Sequence, residues 1–351
     1  MMNETQIDLG DDRRIGAGQP TLIVAEIGQN HNGCFVLAEQ LVEAAAWAGA
    51  DAVKFIKRDL DCELSSEAQS SVYDTRHAFG PTYGAHRKAL ELSINDHRRL
   101  ASRARELGML YFATACDIPS AQLLESLDVG IFKIASRDLT NLPLLDFVAR
   151  RGKPLFLSTG MSDFEEIDAA VEAVRRHTEQ FVLLQCTSIY PAPPDQVHLR
   201  SIQGLSDRYG SLVGFSDHAA GRLLPPVAAA LGAVVIEKHF TLDCTQKGTD
   251  HACSLEPEQL RQMIADIRQI EAALGRADKP VPAEVSQVRA KLGRSLVTSV
   301  PVPAGAKLEE PMLTLKCPGD GLSWLDRAHI LGRVVKRSLA ANEKLSLKDF
   351  V

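Results

Sequence analysis

The chain has 351 residues, 45% hydrophobic and 24% charged, with a formal net charge of −6. That length allows one large domain plus a small one in a globular protein of ordinary composition. The acidic balance excludes the basic surface of a nucleic-acid binder, and no apolar run approaches the ~20 residues of a membrane helix.

The N-terminal MMNETQIDLGDDRR is polar and lacks the apolar stretch of a signal peptide. Seven scattered cysteines (Cys34, Cys62, Cys116, Cys186, Cys244, Cys253 and Cys317) form no CxxC pair. Neither a disulfide framework nor a zinc ribbon is expected, and a reducing cytoplasm is the simple reading. The basic run Arg98–Arg105, RRLASRAR, reads as a solvated helix face rather than a phosphate track.

In chain order, strands are expected at Thr21–Ile27, Ala52–Ile56, Tyr111–Ala113, Ile131–Ile134, Pro154–Leu157, Phe181–Gln185, Leu212–Phe215 and Val234–Glu237. Several are apolar throughout, as parallel strands covered on both faces should be. Helices of 3.6-residue periodicity fall between them, at Leu37–Ala48, Ser120–Leu127 and Phe164–Arg175 among others. Gly49, Gly108 and Gly152 stand where helix C-caps should be. Such alternation over residues 1–275 predicts a closed (β/α)₈ barrel. A doubly wound open sheet is the alternative, but no GxGxxG follows the first strand.

A last helix is expected at Glu256–Leu274, then a polar, proline-bearing linker over residues 276–292. From Gly293 to Val351 the texture becomes β-rich, with strands expected at Ser295–Val300, Leu313–Leu315 and Val334–Ser338.

In a β/α barrel the active site lies at the C-terminal ends of the strands, so polar residues there should converge. The first strand brings Glu26, Gln29, Asn30 and His31, the second Lys54, the third Thr114 and Asp117. The fourth brings Lys133, Ser136, Arg137 and Asp138, the fifth Ser158 and Thr159, the sixth Gln185, Thr187, Ser188 and Tyr190. Ser216, Asp217 and His218 follow on the seventh, Glu237, Lys238 and His239 on the eighth. Lysines with serine and threonine hydroxyls suit a phosphate or carboxylate. His218 and His239 end adjacent strands and could meet at one divalent ion, with Glu26 or water beside them. Each element also has a plainer reading: a strand lysine can snorkel to solvent, and a lone histidine is often a satisfied core residue. Cys116 and Cys186 read as small packed residues rather than nucleophiles.

Eight stretches carry a resemblance. They are IVAEIGQNHNG (Ile23–Gly33), DAVKF (Asp51–Phe55), FKIASRDLTNLPLL (Phe132–Leu145), LSTGMS (Leu157–Ser162), LLQCTSIYPAPP (Leu183–Pro194), GFSDHAAG (Gly214–Gly221), VIEKHFTLD (Val235–Asp243) and GTDHACSLEP (Gly248–Pro257). In this order they resemble the sialic acid synthases, a family including N-acetylneuraminate, legionaminate and pseudaminate synthases. The resemblance implies a (β/α)₈ barrel followed by an antifreeze-like SAF domain over residues 293–351. It further implies a domain-swapped homodimer and a divalent metal, typically Mn²⁺ (with Mg²⁺ or Co²⁺ the alternatives), held by His218 and His239. Phosphoenolpyruvate would be held by Lys54, Thr114, Lys133, Ser136, Ser158, Ser188 and Ser216, and the sugar contacted by Glu26, Tyr190 and Asp250. The implied reaction adds C3 of phosphoenolpyruvate to an N-acylated hexosamine aldehyde, giving a nonulosonic acid and phosphate, with Glu26 a candidate for proton transfer.

Three positions depart from that pattern, all expected on the sugar side. Ile56 stands where glutamine is usual, Asp138 where glutamate is frequent, and Cys317, in KCPGDG, where many members have an arginine. A thiol supplies neither a guanidinium's charge nor its fork of donors. The acceptor is therefore the open question, and shorter or phosphorylated sugars, as in ketodeoxyoctonate-type synthases, remain rivals that resemble the barrel but lack a SAF domain. A non-catalytic sugar-binding barrel is the rival of a different class.

Overall fold

The computed structural model describes residues 5–10 and 12–351. The chain divides after Gly275 into two compact units.

The first unit opens with an antiparallel hairpin, β1 (Gln6–Gly10) and β2 (Arg13–Gly16). Eight parallel strands follow: β3 (Leu22–Gly28), β4 (Ala52–Lys57), β5 (Leu110–Ala115), β6 (Phe132–Ile134), β7 (Leu155–Ser158), β8 (Phe181–Cys186), β9 (Leu212–Asp217) and β10 (Val235–His239). They close in sequence order, β10 returning to pair with β3, as the apolar runs predict. β5, β7, β8, β9 and β10 are buried along their whole length, because side chains fill the barrel on one face and helices cover the other.

The helices are punctuated locally. Phe35–Ala48 ends at Gly49, whose φ of 89° gives the left-handed C-cap that favours glycine. Ile94–Glu106 and Phe164–Arg175 begin with reciprocal capping boxes, Ser93 with Asp96 and Asp163 with Glu166. The arginine-rich stretch lies in the first of these helices, which buries His97, Leu100, Ala101 and Ala104 against the sheet side.

The hairpin was not expected from the sequence. Its five-residue alternation is short, but Ile7, Leu9 and Ile15 are buried and join the barrel's apolar core. Within residues 276–292, Ala283–Leu292 is a helix of good helix formers following Pro282.

In the second unit β11 (Ser295–Thr298) pairs antiparallel with β12 (Leu313–Lys316) around a small core including Leu296, Val302, Leu308, Ile330, Val335 and Phe350. Val334–Ser338 is not a strand: Val334 and Val335 make only isolated bridges, to Lys307 and Phe350. Among the described residues no helix is long and apolar enough to cross a membrane.

Candidate active site

Register puts the site together before any loop is considered. Parallel pairing sets Glu26 opposite both Lys54 and His239, Thr114 opposite Lys133, and Ser216 opposite Glu237. These strand ends open into a cavity of about 570 Å³, the size of a small-molecule site.

Its floor is ionic and buried. Lys54 Nζ lies 2.7 Å from Glu26 Oε2 and 3.6 Å from Glu237 Oε2, and donates to Thr114 Oγ1 at 3.1 Å. Lys133 Nζ donates to Ser158 Oγ at 2.7 Å and lies 3.9 Å from Glu237 Oε1, which accepts from Ser216 Oγ at 2.9 Å. All four charged residues are at most 5% exposed. Burial opposes the Lys54 ammonium, yet Glu237 and Glu26 together hold its pKa above the ordinary value. Burial wins at Lys133, whose pKa is lowered despite Glu237. The two carboxylates diverge. Burial, reinforced by Glu237, raises Glu26 to about 8 against the pull of Lys54. At Glu237 burial is overcome by Lys133 and Lys54, and the carboxyl falls to about 2.

Apart from their ion pairs, Glu26 Oε2 and Glu237 Oε2 have no hydrogen-bond partner. Acceptors left with only lysine charge beside them suit a floor that receives an anion and rearranges its pairs around it. Gly28 keeps this corner open. Its φ is 53°, and an added Cβ would fall 2.7 Å from Glu26 Oε1. The β3–β4 register slips there, between Glu26 and Gly28.

Beside the floor, the rings of His218 and His239 have centroids 5.4 Å apart, with Tyr190 tilted over His218 at 4.2 Å. His218 Nδ1 lies 2.8 Å from the Thr187 carbonyl, which fixes the proton there and leaves a lone pair on Nε2. His239 Nδ1 is buried without a partner. Burial pushes both pKa values down, His239 to about 3, so both rings are neutral and able to ligate. Among the described residues no three His, Cys, Asp or Glu side chains converge as a ready-made metal cage. The donor set nevertheless fits a divalent ion held by two imidazoles, with water or substrate completing the shell.

The remaining expected residues divide. Ser136, Ser188, Tyr190 and Asp250 line the cavity, as does Ile56 with its apolar side chain. Ser136 Oγ accepts from Gly160 N at 3.0 Å. Asp138 does not line it: its carboxylate turns to Arg137, 3.2 Å away, and Arg137 forms the wall. Cys317 belongs to the second unit, where its Sγ lies 2.8 Å from Arg294 Nη1, while Lys316 is bonded to Asn342.

The sequence pattern of the NeuB family matches residues 41–279, and that of the SAF domain residues 293–351. The chain belongs to the NeuB family. It is 37% identical over 313 residues to N-acetylneuraminate-9-phosphate synthase of Mus musculus, covering 89% of this chain and 87% of that one. It is 36% identical over 349 residues to N,N'-diacetyllegionaminic acid synthase of Legionella pneumophila, covering 96% and 98%. A crystal structure of N-acetylneuraminic acid synthetase from Leptospira borgpetersenii, in complex with citrate, superposes with a TM-score of 0.72 at 33% identity, covering 81% of this chain and 95% of that one.

Within this NeuB-family barrel several cavity residues had no role in the sequence reading. Glu237 was visible as a strand-end carboxylate, but only its position between two lysines gives it a function. Arg58, Arg76, His77, His86 and Arg87 come from the long β4–β5 connection, residues 58–109, whose segments fold back over the mouth. Its excess length over the other connections was the available signal.

Proposed function

We propose that the protein condenses phosphoenolpyruvate with an N-acylated hexosamine aldehyde, giving a nonulosonic acid and phosphate. One observation carries this: two buried lysines share one cavity floor with two carboxylates, directly beside a pair of neutral imidazoles.

Lys54 and Lys133, with Thr114, Ser158 and Ser216, would hold the phosphate and carboxylate of phosphoenolpyruvate. Ser136 and Ser188 would complete that wall, while Tyr190 and Asp250 face the sugar. Charge held in a buried floor stabilises developing charge more strongly than it would in water. C3 of phosphoenolpyruvate forms the new bond to the aldehyde carbon, and Glu26 would protonate the resulting alkoxide. Water then adds at C2, returning a proton to Glu26. The tetrahedral carbon expels phosphate by C–O cleavage, its hydroxyl proton passing to the departing phosphate as the ketone forms. Glu237 keeps both lysines oriented through their ion pairs. His218 and His239 would hold a divalent ion, Mn²⁺ first, and such an ion supplies polarisation of the acceptor carbonyl. Arg294 lies beside Cys317, one of the three positions that depart from the usual pattern.

The same reading makes the protein a cytoplasmic homodimer, and a monomer in sedimentation equilibrium would remove that part of it. Phosphate release from phosphoenolpyruvate with Mn²⁺ tests the reaction, with N-acetylmannosamine, its 6-phosphate, mannose, arabinose 5-phosphate and 2,4-diacetamido-trideoxyhexoses as acceptors. Release requiring an acylated hexosamine supports the synthase. Release with none of these sugars refutes it. Full turnover after rigorous metal removal would refute the role of His218 and His239.

A further inference from the structure

Two strand-end residues expected at the mouth turn away from it. Ser216 and His218, and on the neighbouring strand Glu237 and His239, line the cavity. Asp217 and Lys238 lie between them in the chain, so strand alternation points both outward, under the covering helices. Lys238 is 0% and Asp217 1% exposed, and Lys238 Nζ donates to Asp217 Oδ2 at 2.7 Å.

A buried ion pair is often no more stabilising than packed apolar side chains of the same volume. What it adds is the direction of its hydrogen bonds, and here they bracket His218. Asp217 Oδ1 accepts from Ala219 N at 2.9 Å, and Lys238 Nζ donates to the Ala219 carbonyl as well as to Asp217. The residues on either side of His218 are thus both bonded to the side chain that immediately precedes His239.

The backbone leaves this connection to be made. The β9–β10 ladder ends with Asp217 opposite Lys238, one residue short of His218. There the chain turns to its other neighbour: Ala192 N donates to the His218 carbonyl at 2.9 Å, and Ala192 bridges Ala219. His239 is anchored elsewhere, opposite Glu26 on β3 and with its carbonyl accepting from Leu255 N at 2.8 Å. The two imidazoles, 5.4 Å apart between ring centres, hang from separately anchored backbones that Lys238 joins.

We infer that Lys238 and Asp217 are positioning residues for the His218–His239 pair, setting its spacing and with it the affinity for a divalent ion. The inference rests on the metal role proposed above for these histidines. Neither Lys238 nor Asp217 touches the ion or a substrate; both act through the backbone that carries the rings.

Mn²⁺ binding to the metal-stripped full chain, read from the electron paramagnetic resonance signal of the free ion, tests this without any turnover. H218A/H239A should abolish tight binding. D217N/K238M removes the pair without stranding a buried charge and keeps an amide oxygen for Ala219 N. It should raise the Kd for Mn²⁺ by about 10- to 100-fold, the scale of losing an outer partner of a metal-ligating histidine. Asp217→Asn alone keeps the side-chain contacts and weakens their charge, and should give a smaller rise. Circular dichroism at the titration temperature selects the variants that are folded. Val174→Ala, a buried deletion in the helix Phe164–Arg175, isolates destabilisation: its melting temperature should fall with the Kd unchanged. A rise under about threefold in the folded pair variants would overturn the positioning role and leave the metal reading standing. So would an equal rise in Val174→Ala. No binding by the parent chain, or binding that survives H218A/H239A, would overturn the metal reading and this inference with it.

Discussion

The floor and the rim of the cavity solve the burial of charge in opposite ways. On the floor, two lysines and two glutamates from strands β3, β4, β6 and β10 are buried against one another. On the rim, the β4–β5 connection presents Arg58, paired with Glu63 and Glu91, and Arg87, whose hydrogen bonds go to Tyr83 and Gln29. The floor is set by register, which cannot slip without turning every side chain over. The rim depends on one long connection anchored at a few points. Charge fixed by strand register gives a permanent shape, whereas charge fixed by one connection depends on each of its anchors.

Substitutions can break this comparison, the largest effect first. Arg58, its side chain 1% exposed, fastens the start of the β4–β5 connection to Glu63 and Glu91. Arg58→Met should cost about 3 kcal/mol in urea unfolding, because its buried contacts to Glu63, Glu91 and Gln29 are lost, although Arg137 and Lys57 still pair the two carboxylates. A loss under about 1 kcal/mol would mean that the rim does not depend on its paired arginine.

Lys133→Met addresses the floor. It should lower kcat for phosphate release by about 10²- to 10³-fold, the scale of removing one preorganised charge donor. Retained turnover would detach the floor from the chemistry.

A smaller effect separates packing from chemistry. His97 sits behind the floor, its ring edge-on to Phe55 and 2.6 Å from Tyr111 Oη. Burial lowers its pKa from 6.5 to about 3. Between those values the unfolded chain binds the extra proton, so stability rises with pH through that window and is lost as pH falls from 6.5 toward 3. His97→Gln should remove up to ~1.4 kcal/mol per pH unit from that slope, measured by urea unfolding between pH 5 and 7. An unchanged slope would show His97 solvated in the native state.

The smallest effect concerns Asp138, which turns away from the cavity toward Arg137. Asp138→Asn should change KM for the acceptor by less than about twofold, well under 1 kcal/mol. A larger change would put the residue back at the sugar.

Much of the floor was legible in the sequence, and for identifiable reasons. Lys54 and Lys133 stand in otherwise apolar strands, where a charge needs a partner. His218 and His239 terminate neighbouring strands, and the barrel rule brings such ends together. Asp138 follows the same rule by position, but its backbone enters a short 3₁₀ turn, Ser136–Asp138, that sends alternate side chains in different directions. The hairpin β1–β2 was missed because five alternating residues carry too little periodicity to stand out. The helix Ala283–Leu292 was masked by the proline-rich segment before it.

By itself the sequence determined the barrel, since apolar runs alternating with capped amphipathic helices admit few other ways to bury both faces of eight parallel strands. It also determined that the strand-end residues Glu26, Lys54, Lys133, His218 and His239 share one cavity, because strand ends are fixed by pattern. Only the tertiary structure decided the electrical state of the site. Glu237 becomes the shared partner of two lysines, and Glu26 and Glu237 part in proton affinity, through distances that no spacing encodes. Whether an arginine is paired with a glutamate or bonded to neutral groups is likewise settled by which loop folds beside it. Pairing is a property of space, and the chain specifies it only after folding.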